Sequence, residues 1–410
     1  NPGSLPADFG FNPNYRETLQ KYPSLFPSTP SEQAPDVIAY VDPKFKMPQV
    51  WRSNLNVDIQ LPYDFMLSVG AMYTRDIYNV AQLNMNEAEP TGVYNEQPDR
   101  IYWASKKYEY NDYTNGKNVV VKLSNGEDKG YQYSFNAILT KKYDFGFTGS
   151  IGYTYTMAKD LTANPGSAPN SAWQNNVAVN SLNDPGVSYS LFSTPHRIIA
   201  NASYEINYAK CLKTTFSLFY SGYHTGRYSY TYYNDMNGDG NYSDLIYVPN
   251  SQDEMTFVDI TDKSGAITYS AVDQAKDFWD FVNNDSYLKD RKGKYVERNG
   301  SLTPWINRFD FKIAQDFYAT LGGRKYGIQV SLDMLNVGNM INSKWGAYQS
   351  CGLKSYDNVQ LLKTASKVGE PLTYQINANS REAFKERSSW QYTNTIGSAW
   401  SMQLGVKVTF

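Results

Sequence analysis

The chain closes on Ala399–Phe410, AWSMQLGVKVTF, and no other run constrains the fold as strongly. Trp400, Met402, Leu404, Val406, Val408 and Phe410 share one parity, while Ser401, Gln403, Gly405, Lys407 and Thr409 share the other. Successive side chains of a strand point to opposite faces, so this run reads as a strand that is apolar on one side and polar on the other. A terminal strand of that kind, ending on an aromatic residue, fits a sheet with lipid against one face and water against the other.

Eight further segments carry the same period-two pattern. Trp51, Ser53, Leu55, Val57 and Ile59 oppose Arg52, Asn54, Asn56, Asp58 and Gln60, and a second segment, Phe65–Tyr73, follows a turn at Leu61-Pro62-Tyr63. Tyr131–Thr140 and Phe145–Met157 flank Lys141–Asp144, and Arg197–Asn207 and Thr215–Gly222 flank Tyr208-Ala209. Phe309–Phe317 and Tyr326–Met334 flank Gly322-Gly323, and the terminal run makes nine strands. The expected fold class is therefore all-β, an antiparallel transmembrane β-barrel.

Connection lengths sharpen this expectation. Turns of about two to six residues alternate with stretches of tens of residues, as in barrels with short periplasmic turns and long extracellular loops. Long loops are expected at about 83–128, 160–195, 230–303 and 340–396, with residues 1–47 an extracellular loop segment and 48–410 the barrel. Bacterial single-chain barrels have even strand counts. Nine strands therefore point to the C-terminal part of a larger barrel, with one missed strand as the alternative. A secreted β-sandwich adhesin remains a third class, although loops this long are rare in soluble domains.

Composition removes other classes. Mean hydropathy is −0.57, and no run approaches the roughly 18 apolar residues of a membrane-spanning helix; this excludes helical membrane proteins only. The 36 Tyr and 8 Trp suit the aromatic girdles of a membrane barrel. A net charge of −2, with both signs interspersed, gives no footprint for nucleic acid. Cys211 and Cys351 lie far apart in no metal or redox motif and read as separate thiols, with a disulfide as the alternative in an oxidising envelope. His196 and His224, the only histidines, sit in no triad or metal pair, and no phosphate loop or nucleophile elbow appears, so no catalysis is expected.

Three sets of residues are candidate sites. Asp235-Met-Asn237-Gly-Asp239-Gly240 repeats the first half of an EF-hand loop, with oxygen ligands at positions one, three and five and Gly at six. Ile246 replaces the bidentate Glu, and Asp244 is the nearest carboxylate, so Asp235, Asn237, Asp239 and Asp244 form a candidate Ca²⁺ site. The alternative is an Asp/Asn/Gly-rich turn that needs no ion. Arg227, Tyr228, Tyr230 and Tyr232 offer rings for stacking and a guanidinium for a carboxylate, against a girdle or loop-packing role. Arg52, Asp58, Arg197, Glu205, Asp310, Lys312, Asp316 and Asp333 occupy the polar parities and should face a wet lumen. Asp277–Val282 reads as a short loop helix with a packing role, and the same packing role is the bland alternative for Trp173, Trp279, Trp345 and Trp390.

Six stretches together resemble Oar-like TonB-dependent outer-membrane receptors, relatives of the SusC-type nutrient importers. They are VDPKFKMPQVWRSNLNVDIQLPYDF from Val41, IGYTYTMAKDL from Ile151, STPHRIIANASYEI from Ser193, DMNGDGNYSDLIYVP from Asp235, TPWINRFDFKIAQDF from Thr303 and LDMLNVGNMINSKWG from Leu332. The resemblance implies a 22-stranded barrel with an N-terminal plug and TonB box, energised by the inner-membrane TonB complex. It implies import of an oligosaccharide, peptide or similar nutrient, and it allows a surface lipoprotein partner. No plug lies in this chain, so the N-terminal remainder of the receptor would be its partner. The lumen residues would then meet the plug or line the path, and Phe410 would be the barrel-assembly signal. The alternative is a non-transporting receptor-like barrel that serves as a structural or assembly partner.

Overall fold

The computed structural model describes residues 8–10, 12–23, 37–110, 119–351, 354–355, 358–377, 381–385, 390–393 and 395–410. Its principal sheet is an antiparallel meander of nine long strands in chain order. They are β1 (Gln49–Leu61), β2 (Phe65–Tyr78), β3 (Tyr131–Lys142), β4 (Phe147–Asp160) and β5 (His196–Tyr208). There follow β6 (Leu212–His224), β7 (Trp305–Leu321), β8 (Arg324–Leu335) and β9 (Ser401–Thr409). Each alternating segment of the sequence maps onto one of these strands. The path is open: among the described residues β1 and β9 each pair with a single neighbour, and no closed barrel forms.

Register separates the two faces, because directly paired residues point to the same side. One face is traced through Leu55↔Ala71, Ala71↔Phe135, Phe135↔Tyr155 and, on the same parity, Ile151↔Ala200 and Ala200↔Tyr220. It continues through Tyr220↔Phe309, Ile313↔Leu332 and Leu332↔Leu404. This apolar face is left open: Leu55 is 67% exposed, Leu404 72% and Val406 67%. A contiguous apolar band of this size is untenable in water and natural against lipid. Aromatic contacts gather at both of its margins. Trp51–Tyr73, Tyr133–Tyr155 and Tyr155–His196 mark one end; Tyr143–Phe145, Phe145–Phe147 and Phe145–Tyr204 mark the other.

The connections at this second end are short. Gly322 and Gly323 join β7 to β8 at φ +58° and +80°, the left-handed pair that a two-residue hairpin of matching twist requires. Ala209 and Lys210 adopt the same region between β5 and β6, at roughly 1–2 kcal/mol per residue without glycine.

At the other end, the long connections hold the hydrophobic core. Tyr230, Tyr232, Ile246, Phe278, Val282, Leu361 and Ile376 are among its fully buried members, and all lie outside the nine strands. Strand Arg227–Tyr232, which follows β6, runs parallel to Asn358–Thr364 and antiparallel to Ser301–Leu302. The helix expected near Asp277 spans Ala271–Asn284, capped by Ser270, whose Oγ accepts from the Asp273 N–H at 3.1 Å. Phe278, Phe281 and Val282 form its buried stripe. Trp173 is buried against Ala178 and Leu182, and Trp390 meets Tyr228 edge-on at 5.2 Å. Segment 1–47 is not simply a loop, because Val37–Val41 pairs in parallel with Val119–Ser124 of the first long connection. Cys211 is exposed between β5 and β6, Cys351 is buried in the loop core, and no disulfide joins them.

Candidate functional site

The polar face of the sheet brings together all eight expected lumen residues. Its register runs through Arg52↔Thr74, Arg197↔Thr154, Arg197↔Tyr223, Ser217↔Lys312, Lys312↔Asp333 and Asp333↔Gln403. Charge is matched locally. Lys213 lies 3.4 Å from Glu205 and 3.7 Å from Asp316, Lys312 lies 2.8 Å from Asp333, and Arg308 lies 3.1 Å from Asp310. Arg52 donates to Thr74 Oγ1 at 3.1 Å, Asp58 accepts from Ser68 at 2.5 Å, and the Arg197 guanidinium sits 5.9 Å from the centre of the Tyr223 ring. Such half-exposed pairs contribute little stability individually. Together they make a hydrated, near-neutral wall.

Arg227, Tyr228, Tyr230 and Tyr232 are not on a surface. All six residues of strand Arg227–Tyr232 are buried, so alternation there separates two packed faces rather than core from solvent. The Tyr230 hydroxyl donates to Asp285 Oδ2 at 2.7 Å and lies 3.1 Å from the Tyr228 hydroxyl. Burial, reinforced by Asp285, pushes the Tyr228 phenol up to about 12. Arg227 donates to the carbonyls of Ser193 at 3.2 Å and Asn299 at 3.1 Å, and its guanidinium lies 4.3 Å from the Tyr189 ring centre. The four expected ligand-binding side chains therefore form loop core, closed to a ligand.

The Asp235–Gly240 loop folds on itself. Asp235 accepts from the N–H groups of Gly238 (2.7 Å) and Gly240 (2.9 Å), Asn237 from Asp239 (3.0 Å), and Asp239 from Asn241 (2.7 Å). Gly238 stands at φ +84°, and a Cβ there would lie 2.5 Å from the Trp103 carbonyl oxygen, so only glycine fits. Asp244 accepts from the Met236 N–H at 3.1 Å and faces Arg100 at 3.5 Å. Burial raises all three carboxyls, and Asp244 rises to about 7 although Arg100 opposes the shift. Asp239 is raised well above the carboxylate range, with repulsion from Asp244 and Asp235 adding to burial. Among the described residues no three Asp, Glu, His or Cys side chains gather around a metal position. The side chains of the expected Ca²⁺ site accept from backbone N–H groups of their own turn, with Arg100 beside Asp244 and Lys107 near Asp235.

Sequence reasoning missed Arg100. Its fully buried guanidinium donates to the carbonyls of Val179 and Leu245 and, at 3.2 Å, to Gln97 Oε1, and it lies 4.8 Å from the Tyr295 ring centre. A lone arginine in a polar loop carries no pattern that marks it as a hub. Phe410 lies just beyond β9 and is 94% exposed.

A family model for the outer membrane beta barrel domain matches residues 2–347. Searches of curated proteins and of solved structures give no match. An open apolar face, a polar face and aromatic margins are what that family requires of its strands, and they place the sheet in a bacterial outer membrane. The chain belongs to the outer membrane β-barrel domain family.

Proposed function

We propose that this chain is the C-terminal barrel portion of a TonB-dependent outer-membrane receptor that imports a nutrient into the periplasm. The observation that supports this reading is the open edge at each end of a nine-stranded, two-faced sheet. Unpaired strand edges are costly in lipid, where no water satisfies their N–H and C=O groups. A sheet this wide with a charged inner face is closed by further strands rather than by itself. In this reading the packed long connections face the exterior and capture ligand, the plug on the remainder yields to TonB, and the ligand passes along the polar wall. The short turns then lie in the periplasm.

A second reading, a non-transporting barrel serving as a structural partner, draws on the mutual ion pairing of the polar face, which needs no plug to neutralise it. Intact mass of the protein purified from outer membranes in detergent, native and denatured, tests the first claim. A native species heavier than 46.6 kDa that contains plug and TonB-box sequence is expected. A lone 46.6 kDa species in both states overturns the receptor reading. Cross-linking of the intact receptor to TonB in cells separates transport from the structural role.

A further inference from the structure

Lys141 stands where the alternation of β3 calls for an apolar residue. It shares the parity of Tyr133, Phe135, Ala137 and Leu139, and it pairs with Phe65 on one side and Gly149 on the other. It therefore projects from the lipid face, at the end of the sheet that carries the short turns. An ammonium in that position needs a counter-charge, and the sheet supplies none. Among the described residues the apolar face of β1 to β9 carries no Asp or Glu. Asp64 and Asp144 lie exposed in the flanking turns, and among the described residues no carboxylate forms an ion pair with Lys141.

The side chain is held in place rather than free to sweep. Its Nζ donates to the Tyr63 carbonyl, in a turn where Tyr63 and Asp64 stand in the left-handed region at φ +60° and +58°. The Phe65 ring centre lies 5.1 Å from Nζ and the Tyr143 ring centre 4.8 Å, so the charge sits between two aromatic faces. An ammonium has three N–H donors, and the Tyr63 carbonyl takes one. Phe145 extends the aromatic surface beside it, 5.1 Å from Tyr143 and 6.3 Å from Tyr204, and is 64% exposed.

We propose that Lys141 and these rings bind an anionic glycerophospholipid of the periplasmic leaflet. The two remaining ammonium N–H groups donate to its phosphate oxygens, and the Phe145 and Tyr204 rings pack on its glycerol and upper acyl segments. A cation on a face that meets lipid finds its counter-charge among the headgroups. Lysine binds phosphate as a compact point charge, which suits a site with one ammonium and no fork of donors. A zwitterionic headgroup brings its own ammonium to the phosphate and competes with Lys141, so a net anionic lipid is favoured. Lipid A also carries phosphate, but it occupies the outer leaflet, at the margin of the packed loops. The site rests on the assignment of faces, and its leaflet rests on the receptor reading, which places the short turns in the periplasm.

The test is native mass spectrometry of the intact receptor, purified from outer membranes in detergent, stripped of lipid, and titrated with phosphatidylglycerol, phosphatidylethanolamine or lipid A. Phosphatidylglycerol is expected to bind most tightly, and Lys141→Gln should weaken it roughly fivefold. Lys141→Arg should retain it. Lys142→Gln, one residue away on the polar face, removes the same charge and should leave binding unchanged. Phe145→Ala keeps the ammonium but removes the ring surface, and should also weaken binding. Heat-modifiable migration on gels shows that each variant is folded, and Phe145→Ala carries the test if Lys141→Gln is not. Equal binding of the two phospholipids, equal losses from Lys141→Gln and Lys142→Gln, or indifference to Phe145→Ala overturns the proposal. Preference for lipid A that depends on Lys141 overturns it as well. Binding is read without TonB, so failure here leaves the mass and cross-linking results standing, and the reverse holds equally.

Discussion

Arg100 and Asp244 face each other across 3.5 Å with both side chains closed to solvent, 144 residues apart in sequence. The pair joins two long connections, and Arg100 also donates to the Val179 carbonyl of a third. Removing one partner leaves an uncompensated buried charge, whereas an apolar pair of similar volume is tolerated far better. Asp244→Leu, which leaves the always-protonated Arg100 without its carboxylate, should therefore lower the stability of the loop assembly by about 3–5 kcal/mol. The Arg100→Met/Asp244→Leu double variant should recover part of that loss. Denaturant unfolding followed by limited proteolysis of the loops measures both, and full additivity of the two single variants would show that no coupling exists.

The carboxyls of the Asp235–Asp244 turn give a pH dependence of definite sign. Asp244 binds its proton with a pKa of about 7 in the folded state, against 3.8 for an ordinary aspartate, and Asp239 is raised as well. A group with a raised folded pKa favours folding when protonated. Its stabilising effect is complete below the unfolded value and fades as pH rises toward 7. The loop assembly should melt at higher temperature at pH 5 than at pH 8, and Asp239→Asn should flatten that slope. A bound Ca²⁺ would reverse the sign, because the charged carboxylates would then be the stabilised form. Chelator is expected to leave the melting temperature at pH 8 unchanged if the turn holds no ion, and a clear drop would establish the calcium site.

Tyr230 is expected to behave as core. Tyr230→Phe removes two hydrogen bonds, to Asp285 and to the Tyr228 hydroxyl, and should cost about 1–3 kcal/mol. Tyr230→Ala opens a cavity and should cost about 3–5 kcal/mol by comparison with other large-to-small aromatic substitutions. Neither Tyr230→Phe nor any loss of its hydroxyl should alter the affinity of a ligand that enters from outside. An affinity change with unchanged stability would return Tyr230 to a binding role.

The strands were legible in the sequence because one face of each meets a different solvent from the other. Leu404 and Gln403 differ in parity and therefore in environment, and the same holds along β1 to β9. The loop core was not legible. Strand Arg227–Tyr232 alternates, but both of its faces are buried, so its parity reports nothing about solvent. Leu245-Ile246-Tyr247-Val248 is a buried run without period. Contacts that close the core span distances no local pattern encodes, as when Gln97 donates to the Tyr374 hydroxyl across 277 residues. The Asp/Asn/Gly motif was visible, but its oxygens serve both a turn and an ion loop in similar ways, so the motif by itself does not separate the two.

The assignment of faces is testable at adjacent residues of β9. Leu404 lies on the apolar face, paired with Leu332, and Gln403 lies on the polar face, paired with Asp333. Arginine on the lipid side near the membrane midplane costs about 2–4 kcal/mol, while lumen substitutions are borne by water. Leu404→Arg should reduce the fraction folded in bilayers, read as loss of heat-modifiable migration on gels. Gln403→Arg should be nearly silent, and it gains Asp333 as a neighbour. Equal losses from both would mean that the two faces share one environment.

Orientation can be read from a native thiol. Cys211 is exposed in the short connection between β5 and β6, at the end of the sheet opposite the packed loops. With short turns in the periplasm, a membrane-impermeant maleimide should leave Cys211 unlabelled on intact cells and label it once the outer membrane is permeabilised. Cys351 is buried and should react only after unfolding, so it supplies little background. Tyr242→Cys, at an exposed position of the packed loops, supplies the converse reporter and should label on intact cells. Labelling of Cys211 on intact cells, with Tyr242→Cys protected, would invert the barrel. It would put the packed loops in the periplasm, where capture from the medium is impossible.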